Sequence, residues 1–154
     1  MSELVDSLKK TYLCAGLTDE EVQQIAELAQ VNTHLAGEMI IRQGEKSGDL
    51  VLILDGKANV ITQGGEKIAE AGPGNMLGEV ALIDDMPRSA DVVCIGQTKI
   101  ARFPALAFRS LLNSNRSMGF VVLANIGRVL TTRLRVATDR IDHLMGQDVW
   151  KGAL

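Results

Sequence analysis

Within thirteen residues, Gly78-Glu79-Val80-Ala81-Leu82-Ile83-Asp84-Asp85-Met86-Pro87-Arg88-Ser89-Ala90, the chain places a carboxylate, Glu79, and a guanidinium, Arg88, nine positions apart among small and apolar residues. Glycines lie at Gly72, Gly74 and at Gly78 itself. The run Val80-Ala81-Leu82-Ile83 suits about one helical turn, and the first N–H groups of such a turn have no internal partner and favour an anion. Arg88 offers a planar fork that meets two phosphate oxygens at once. The Ser89 hydroxyl can donate to the same oxygens. Glu79 is an acceptor only, so it suits a sugar hydroxyl and not a phosphate. Pro87 stiffens the approach to Arg88 by fixing its own φ. Together these groups match a small ligand that carries both a phosphate and a ribose hydroxyl. The plainer alternative is a buried Glu79–Arg88 ion pair in a protein that binds nothing.

Catalytic chemistry has little support, and no enzyme activity is expected. The chain has two histidines, His34 and His143. One stands at the start of the strand-like region and the other in the last helix, so the clustered imidazoles of a cupin metal site are missing and no metal is expected. No Ser-His-Asp arrangement or Gly-Lys-Ser/Thr phosphate loop is visible.

Three segments must position the Glu79–Arg88 stretch. The first, Leu4 to about Ala29, has a helical pattern: Thr18 and Glu21 form a capping box ahead of Val22, Ile25 and Leu28 on one face. The second, about residues 31–103, reads as strands. Met39-Ile40-Ile41, Leu50-Val51-Leu52-Ile53-Leu54 and Ala58-Asn59-Val60-Ile61 are separated by Gly or Asp-Gly signals, at intervals that fit a β-barrel or sandwich. The third, residues 104–145, is helical again. Pro104 can open a helix that carries Phe108, Leu111 and Leu112. Asn113-Ser114-Asn115 breaks it, and a longer helix starts near Arg116. In that helix Leu123, Leu130, Ala137 and Leu144 recur every seven residues, with Gly127, Leu134 and Ile141 as the companion series. Such a repeat favours a parallel helix-pair homodimer through residues 116–145, over packing of the same face on the chain's own barrel.

The run Leu77-Gly78-Glu79-Val80-Ala81-Leu82, followed by Pro87-Arg88-Ser89-Ala90, resembles the phosphate-binding cassette of cyclic nucleotide-binding domains. That family includes kinase regulatory subunits, nucleotide-gated channels and the bacterial catabolite activator. The pattern Gly37-Glu38, Gly44-Glu45 and Leu54-Asp55-Gly56 also resembles its barrel, and the resemblance spans about Leu13 to Leu144. It implies an α+β fold: a double-stranded β-helix or jelly-roll barrel, flanked by N-terminal helices and a long C-terminal dimerisation helix. It also implies that Glu79 holds the ribose 2′-hydroxyl and Arg88 the cyclic phosphate. Gly78, Val80, Ala81, Ser89 and Ala90 complete the cassette of residues 77–91. The expected ligand is cAMP, with cGMP left open because Ser89 can also contact a syn guanine. In the activator, a Thr-Ser pair on the long helix faces adenine, its second residue reaching the other subunit's ligand. Here that pair is Ala137-Thr138, which makes Thr138 the candidate base contact across a dimer. One departure is Asp91, where members usually carry a neutral residue. Its carboxylate would repel a phosphate unless it faces outward, and strand alternation after Ala90 permits either face.

The remaining expectations are coarse. The 154 residues form a single domain able to bury a core without disulfides. Cys14 and Cys94 read as reduced thiols, the N-terminus lacks a secretory pattern, and no apolar run spans a membrane, so a cytoplasmic protein is expected. The net charge of −3 divides into −9 over residues 1–91 and +6 over residues 92–154. Attraction between these halves, within the domain or a dimer, is favoured over a docking face for nucleic acid or an acidic partner. With ten residues after Leu144, no helix-turn-helix of the activator kind is expected, hence no sequence-specific DNA binding. Trp150, in the tail of residues 146–154, is expected to pack on the core. The resulting function is a stand-alone cyclic nucleotide sensor acting on an effector protein through helix rearrangement. The alternative is a ligand-free dimerisation or scaffold module that keeps the fold.

Overall fold

The computed structural model describes residues 2–145, so Trp150 and the tail lie outside the described residues. The architecture is α+β. Eight strands form two antiparallel four-stranded sheets. One sheet contains β1 (Gln30–His34), β8 (Thr98–Phe103), β3 (Leu50–Asp55) and β6 (Met76–Leu77), in that order. The other contains β2 (Met39–Ile41), β7 (Asp91–Cys94), β4 (Ala58–Ile61) and β5 (Lys67–Ala71).

The apolar run of β3 is continuous because that strand is buried on both faces. Val51 and Ile53 join Ile40, Ile41, Ala58, Val92, Cys94 and Ile100 between the sheets. Leu50 and Leu52 point the other way, joining Ala101 and Phe103 against a helical layer. Gly56 turns β3 into β4 at φ 88°, where an added Cβ would collide with the Gln97 carbonyl oxygen. Only a residue without a side chain fits there.

The N-terminal segment is helical in three pieces: α1 (Ser2–Lys9), a 3₁₀ turn (Tyr12–Cys14) and α2 (Asp19–Ala26). α1 ends where the Thr11 N–H and hydroxyl both donate back to the Leu8 carbonyl, and α2 is set off by Gly16 at φ 84° and the Thr18–Glu21 capping box, both halves of which form. Leu4, Val5, Leu8, Leu13, Val22 and Ile25 from these pieces are buried in the helical layer.

After β8 the chain forms α4 (Ala105–Ser114) and, beyond Asn115, the 30-residue α5 (Arg116–Met145). Asn115 both breaks and restarts the helix: its backbone leaves the helical region, and its Oδ1 accepts the Met118 N–H at 3.2 Å. At about 1.5 Å per residue α5 is about 45 Å long. Met118, Val122, Asn125 and Ile126 from its first half are buried. Asn125 donates to the Leu13 and Ala15 carbonyls, both at 2.9 Å, which ties α5 to the 3₁₀ turn. Leu134, Val136, Ile141 and Leu144, further along α5, are exposed.

Between α3 (Ala81–Asp84), a single turn after β6, and the strand β7 lies the stretch that carries Arg88. Cys14 and Cys94 are free and buried, and burial pushes the Cys14 thiol up to about 11. Among the described residues no helix is long and apolar enough to cross a membrane.

α4 and α5 cross at Gly119, where an added Cβ would sit 2.8 Å from the Leu112 backbone oxygen. Alanine ordinarily stabilises a helix interior over glycine by about 1 kcal/mol. Gly119→Ala is nevertheless expected to lower the melting temperature, because the two helices must move apart. A melting temperature equal to or above the parent's in a calorimetric scan would contradict this crossing.

Candidate functional site

The cassette folds around one cleft of about 740 Å³, within the size range of small-molecule sites. Ile41, Val60, Ala69, Leu77 and Val92 supply apolar walls from the strands. Gly78, Glu79, Val80, Ala81, Arg88, Ser89 and Ala90 form the polar end. Seven of the eight residues singled out from sequence therefore line the same cleft. The eighth, Thr138, does not line it in the single chain; it lies more than a turn beyond Arg133, the α5 residue that does.

Gly78 sets the geometry of that end. Its φ of 83° turns the chain out of β6 into the cassette, and an added Cβ would meet the Arg88 guanidinium and, at 2.9 Å, the Asp49 carbonyl oxygen. Arg88 packs into the space this glycine leaves. It is 8% exposed, donating through one terminal nitrogen to the Gly78 carbonyl at 3.3 Å and through the other to the Asp49 carbonyl. Its Nε is buried without a hydrogen-bond partner. Among the described residues no carboxylate bridges Arg88. Burial pulls its pKa below the ordinary value, while Asp49, Glu45 and Glu79 oppose that pull from a distance. A guanidinium buried without a counter-ion is costly, and it faces a cleft large enough for an anion. The N–H groups of Val80, Ser89 and Ala90 donate no hydrogen bond to any described residue.

Glu79 is 3% exposed and does not pair with Arg88. Its Oε1 lies 2.8 Å from a terminal nitrogen of Arg133 on α5. The contact is an ion pair without the alignment of a directed hydrogen bond, since Oε1 has no hydrogen-bond partner. The buried Tyr12 hydroxyl is also unbonded. It lies near the same carboxylate, and burial first, then Glu79, holds it protonated above its ordinary range while Arg133 pulls the other way. The Glu79–Arg88 pair considered from sequence is thus replaced by a Glu79–Arg133 contact, because α5 crosses the cleft on the Glu79 side.

Asp91 faces away from the cleft. Its Oδ1 accepts the Gln43 N–H at 2.7 Å. Of the two orientations open to it, the outward one is adopted because a main-chain donor waits there.

Two residues without a local sequence signal connect this end to α4. The Asp49 side chain accepts the Ala105 N–H at 2.9 Å, capping α4, while its carbonyl holds Arg88. Arg109 on α4 donates to the Ala81 carbonyl at 2.7 Å and contacts Asp85 at 3.2 Å. Arg133–Glu79 and Arg109–Asp85 each join the basic half of the chain to the acidic half, in line with internal attraction between the halves. Arg133, Asp49 and Tyr12 escape sequence reasoning for one reason: they reach the cassette only by folding across dozens of residues.

The family model for the cyclic nucleotide-binding domain matches residues 32–115. The chain belongs to the cyclic nucleotide-binding domain family. A crystal structure of a cyclic nucleotide-binding domain from Methylobacillus flagellatus KT shares 32% identity and superposes with a TM-score of 0.76, covering 91% of this chain and 81% of that one. The catabolite activator protein of Thermus thermophilus shares 29% identity with a TM-score of 0.75, covering 88% and 63%. The cAMP-dependent protein kinase regulatory subunit of Schizosaccharomyces pombe is 32% identical over 107 residues, 70% of this chain. The chain spans 26% of that subunit's length, and between 7% and 36% of the length of other curated relatives it matches. The long C-terminal helix behind paired antiparallel sheets is common to this fold.

Gly78→Ala is expected to cost more than Gly74→Ala. Both glycines have positive φ, 83° and 87°, but nothing lies within 4 Å of a Cβ at Gly74. Gly74→Ala should show the backbone penalty alone, about 1–2 kcal/mol. Gly78→Ala should add the displacement of Arg88. Equal losses in urea unfolding would show that Gly78 and Arg88 are not packed together.

Proposed function

We propose that this domain is a cyclic nucleotide sensor, with cAMP as the first candidate ligand and cGMP as the second. The carrying observation is Arg88: buried, aimed into the cleft, and without a carboxylate counter-ion. The cyclic phosphate supplies that anion. It is held by the guanidinium, the Ser89 hydroxyl and the N–H groups of Val80, Ser89 and Ala90, with Gly78 giving the backbone room and Ala81 lining the cleft beside it. The ribose 2′-hydroxyl donates to Glu79, whose Oε1 has unused acceptor capacity. The base lies against the apolar wall, where Thr138 of a second copy adds its hydroxyl. The resemblance to cAMP-dependent kinase regulatory subunits supports this assignment, which is regulatory and not catalytic.

The output follows from shared contacts. A phosphate on Arg88 competes with the Gly78 and Asp49 carbonyls, and Asp49 also caps α4. Movement of α3 pulls on Arg109, also on α4. A ribose hydroxyl on Glu79 competes with Arg133 on α5. Each ligand group therefore acts on a residue tied to a helix, so binding favours one arrangement of α4 and α5 over another. An effector protein reads that arrangement in the cytoplasm.

The exposed side of α5 favours a homodimer. Leu123, Gly127, Leu130, Leu134, Ala137, Ile141 and Leu144 continue a heptad, in which Leu130 also packs partly on the chain's own core, and Phe120, 75% exposed, extends it by one position toward the N-terminus. Leu134 and Leu144 are 63% and 82% exposed. A second copy of the same helix covers both seams at once. The same surface would serve a ligand-free scaffold, but that reading leaves the buried Arg88 without a role.

Calorimetric titration with cAMP and cGMP is expected to show binding by at least one. Arg88→Ala should weaken it about 100-fold, roughly 2.7 kcal/mol, through loss of a charge-assisted phosphate contact. Folded protein that binds neither nucleotide would overturn the assignment. In sedimentation equilibrium the parent is expected to be a dimer. Leu134→Glu should be a monomer with undiminished monomer stability, since Leu134 takes no part in the core. A parent that stays monomeric at about 100 μM, a concentration that populates weak dimers, would remove the dimer.

A further inference from the structure

β2 ends at Ile41, which pairs with Val92 of β7. Beyond it the chain makes the turn Arg42-Gln43-Gly44-Glu45, closed by the Glu45 N–H on the Arg42 carbonyl at 3.2 Å. Gly44 stands at φ 84°, the positive value that a type II turn requires at its third position. The turn grips Arg88 by its main chain on both sides. The Gly44 N–H donates to the Arg88 carbonyl at 2.9 Å, and the Arg88 N–H donates to the Glu45 carbonyl at 2.8 Å. The remaining donor at the start of the turn, the Gln43 N–H, goes to the Asp91 carboxylate at 2.7 Å, the short length of a charge-assisted bond. A side chain thus takes over where strand pairing stops and carries the ladder to Arg88.

We propose that Asp91 is a positioning residue for the phosphate-binding arginine: by holding Gln43 it fixes the turn that fixes the Arg88 backbone. The proposal rests on the cyclic nucleotide assignment above. Binding groups act well only when held within about 0.5 Å of the productive geometry. The Arg88 side chain leans on two carbonyls that a phosphate would displace, so its backbone must be anchored independently of the ligand. The bond to Gln43 also uses the charge that would otherwise repel the phosphate. Ser89, Ala90 and Val92 line the cleft, and Asp91 between them does not. An acid beside an anion site is thereby made compatible with the site.

The test uses the full chain, with cAMP and cGMP as calorimetric probes and amide hydrogen exchange on the nucleotide-free protein. Asp91→Asn keeps an acceptor oxygen and is expected to bind within about threefold of the parent. Asp91→Ala removes the acceptor and is expected to bind about tenfold more weakly, with exchange at Gly44 and Arg88 about tenfold faster, the scale of one lost hydrogen bond. Gln43→Pro removes the same bond from the donor side, at a turn position that accepts proline. It should show the same loss, and the double variant Gln43→Pro/Asp91→Ala should be no worse than either single change. Asp91→Ala binding as tightly as the parent, or fully additive losses in the double variant, would overturn the proposal. Should Asp91→Ala not fold, Gln43→Pro decides: parent-like affinity counts against Asp91, a tenfold loss for it. If the parent binds neither nucleotide, the functional assignment fails. The exchange comparison then judges Asp91 alone, with unchanged rates at Gly44 and Arg88 overturning its role.

Discussion

The structure depends on how the Arg88 guanidinium is kept inside the protein with no ion pair to a carboxylate among the described residues. Arg88 is buried, and charge in a low-dielectric interior is costly unless hydrogen-bonded or paired. Here two main-chain carbonyls, of Gly78 and Asp49, take the place of a counter-ion. Carbonyl dipoles offset part of the cost and leave the charge uncancelled. The guanidinium consequently lines the cleft with hydrogen bonds to carbonyls alone. Gly78 makes the arrangement sterically possible, and the 42–45 turn makes it rigid.

Around this charge the architecture divides its work. The sandwiched apolar strands provide a stiff frame, with β3 buried on both faces. The cassette is a short excursion from that frame between β6 and β7. The helices pack on that frame through an apolar core that includes Phe108 of α4 and Met118, Val122 and Ile126 of α5. They reach the cassette by polar contacts as well: Arg109 to α3 and Arg133 to Glu79, with Asp49 joining Arg88 to α4. Polar contacts that a ligand can compete for give a joint whose equilibrium a small molecule can shift. α5 takes part in three ways along its length, with a buried start, an arginine at the cleft and an uncovered apolar seam beyond it.

Much of this was legible in the chain. The Leu77–Leu82 and Pro87–Ala90 runs contain residues that line one cleft, because residues close in sequence stay close in the fold. The Thr18–Glu21 capping box and the Asn115 break marked helix boundaries correctly, since capping is a local hydrogen-bond matter. The N-terminal helices are legible from the pattern and the Thr18 cap, but the 3₁₀ turn between them is not. A 3₁₀ turn has no distinct periodicity, and the effect of Gly16 depends on what packs around it.

Sequence by itself determined the chemistry on offer: which groups can hold a phosphate and a ribose, where the strands and helices begin, and that the last helix carries a heptad. These are consequences of residue type and short-range spacing, which the chain states directly. Tertiary structure alone decided the partners. It turned Glu79 toward Arg133 and away from Arg88, turned Asp91 onto Gln43 and out of the cleft, and set Asp49 between Arg88 and α4. Each of those choices depends on which backbone groups arrive beside a side chain after folding across dozens of residues. A buried charge settles on whichever partners the packed core brings within about 3 Å, and no local pattern encodes that meeting.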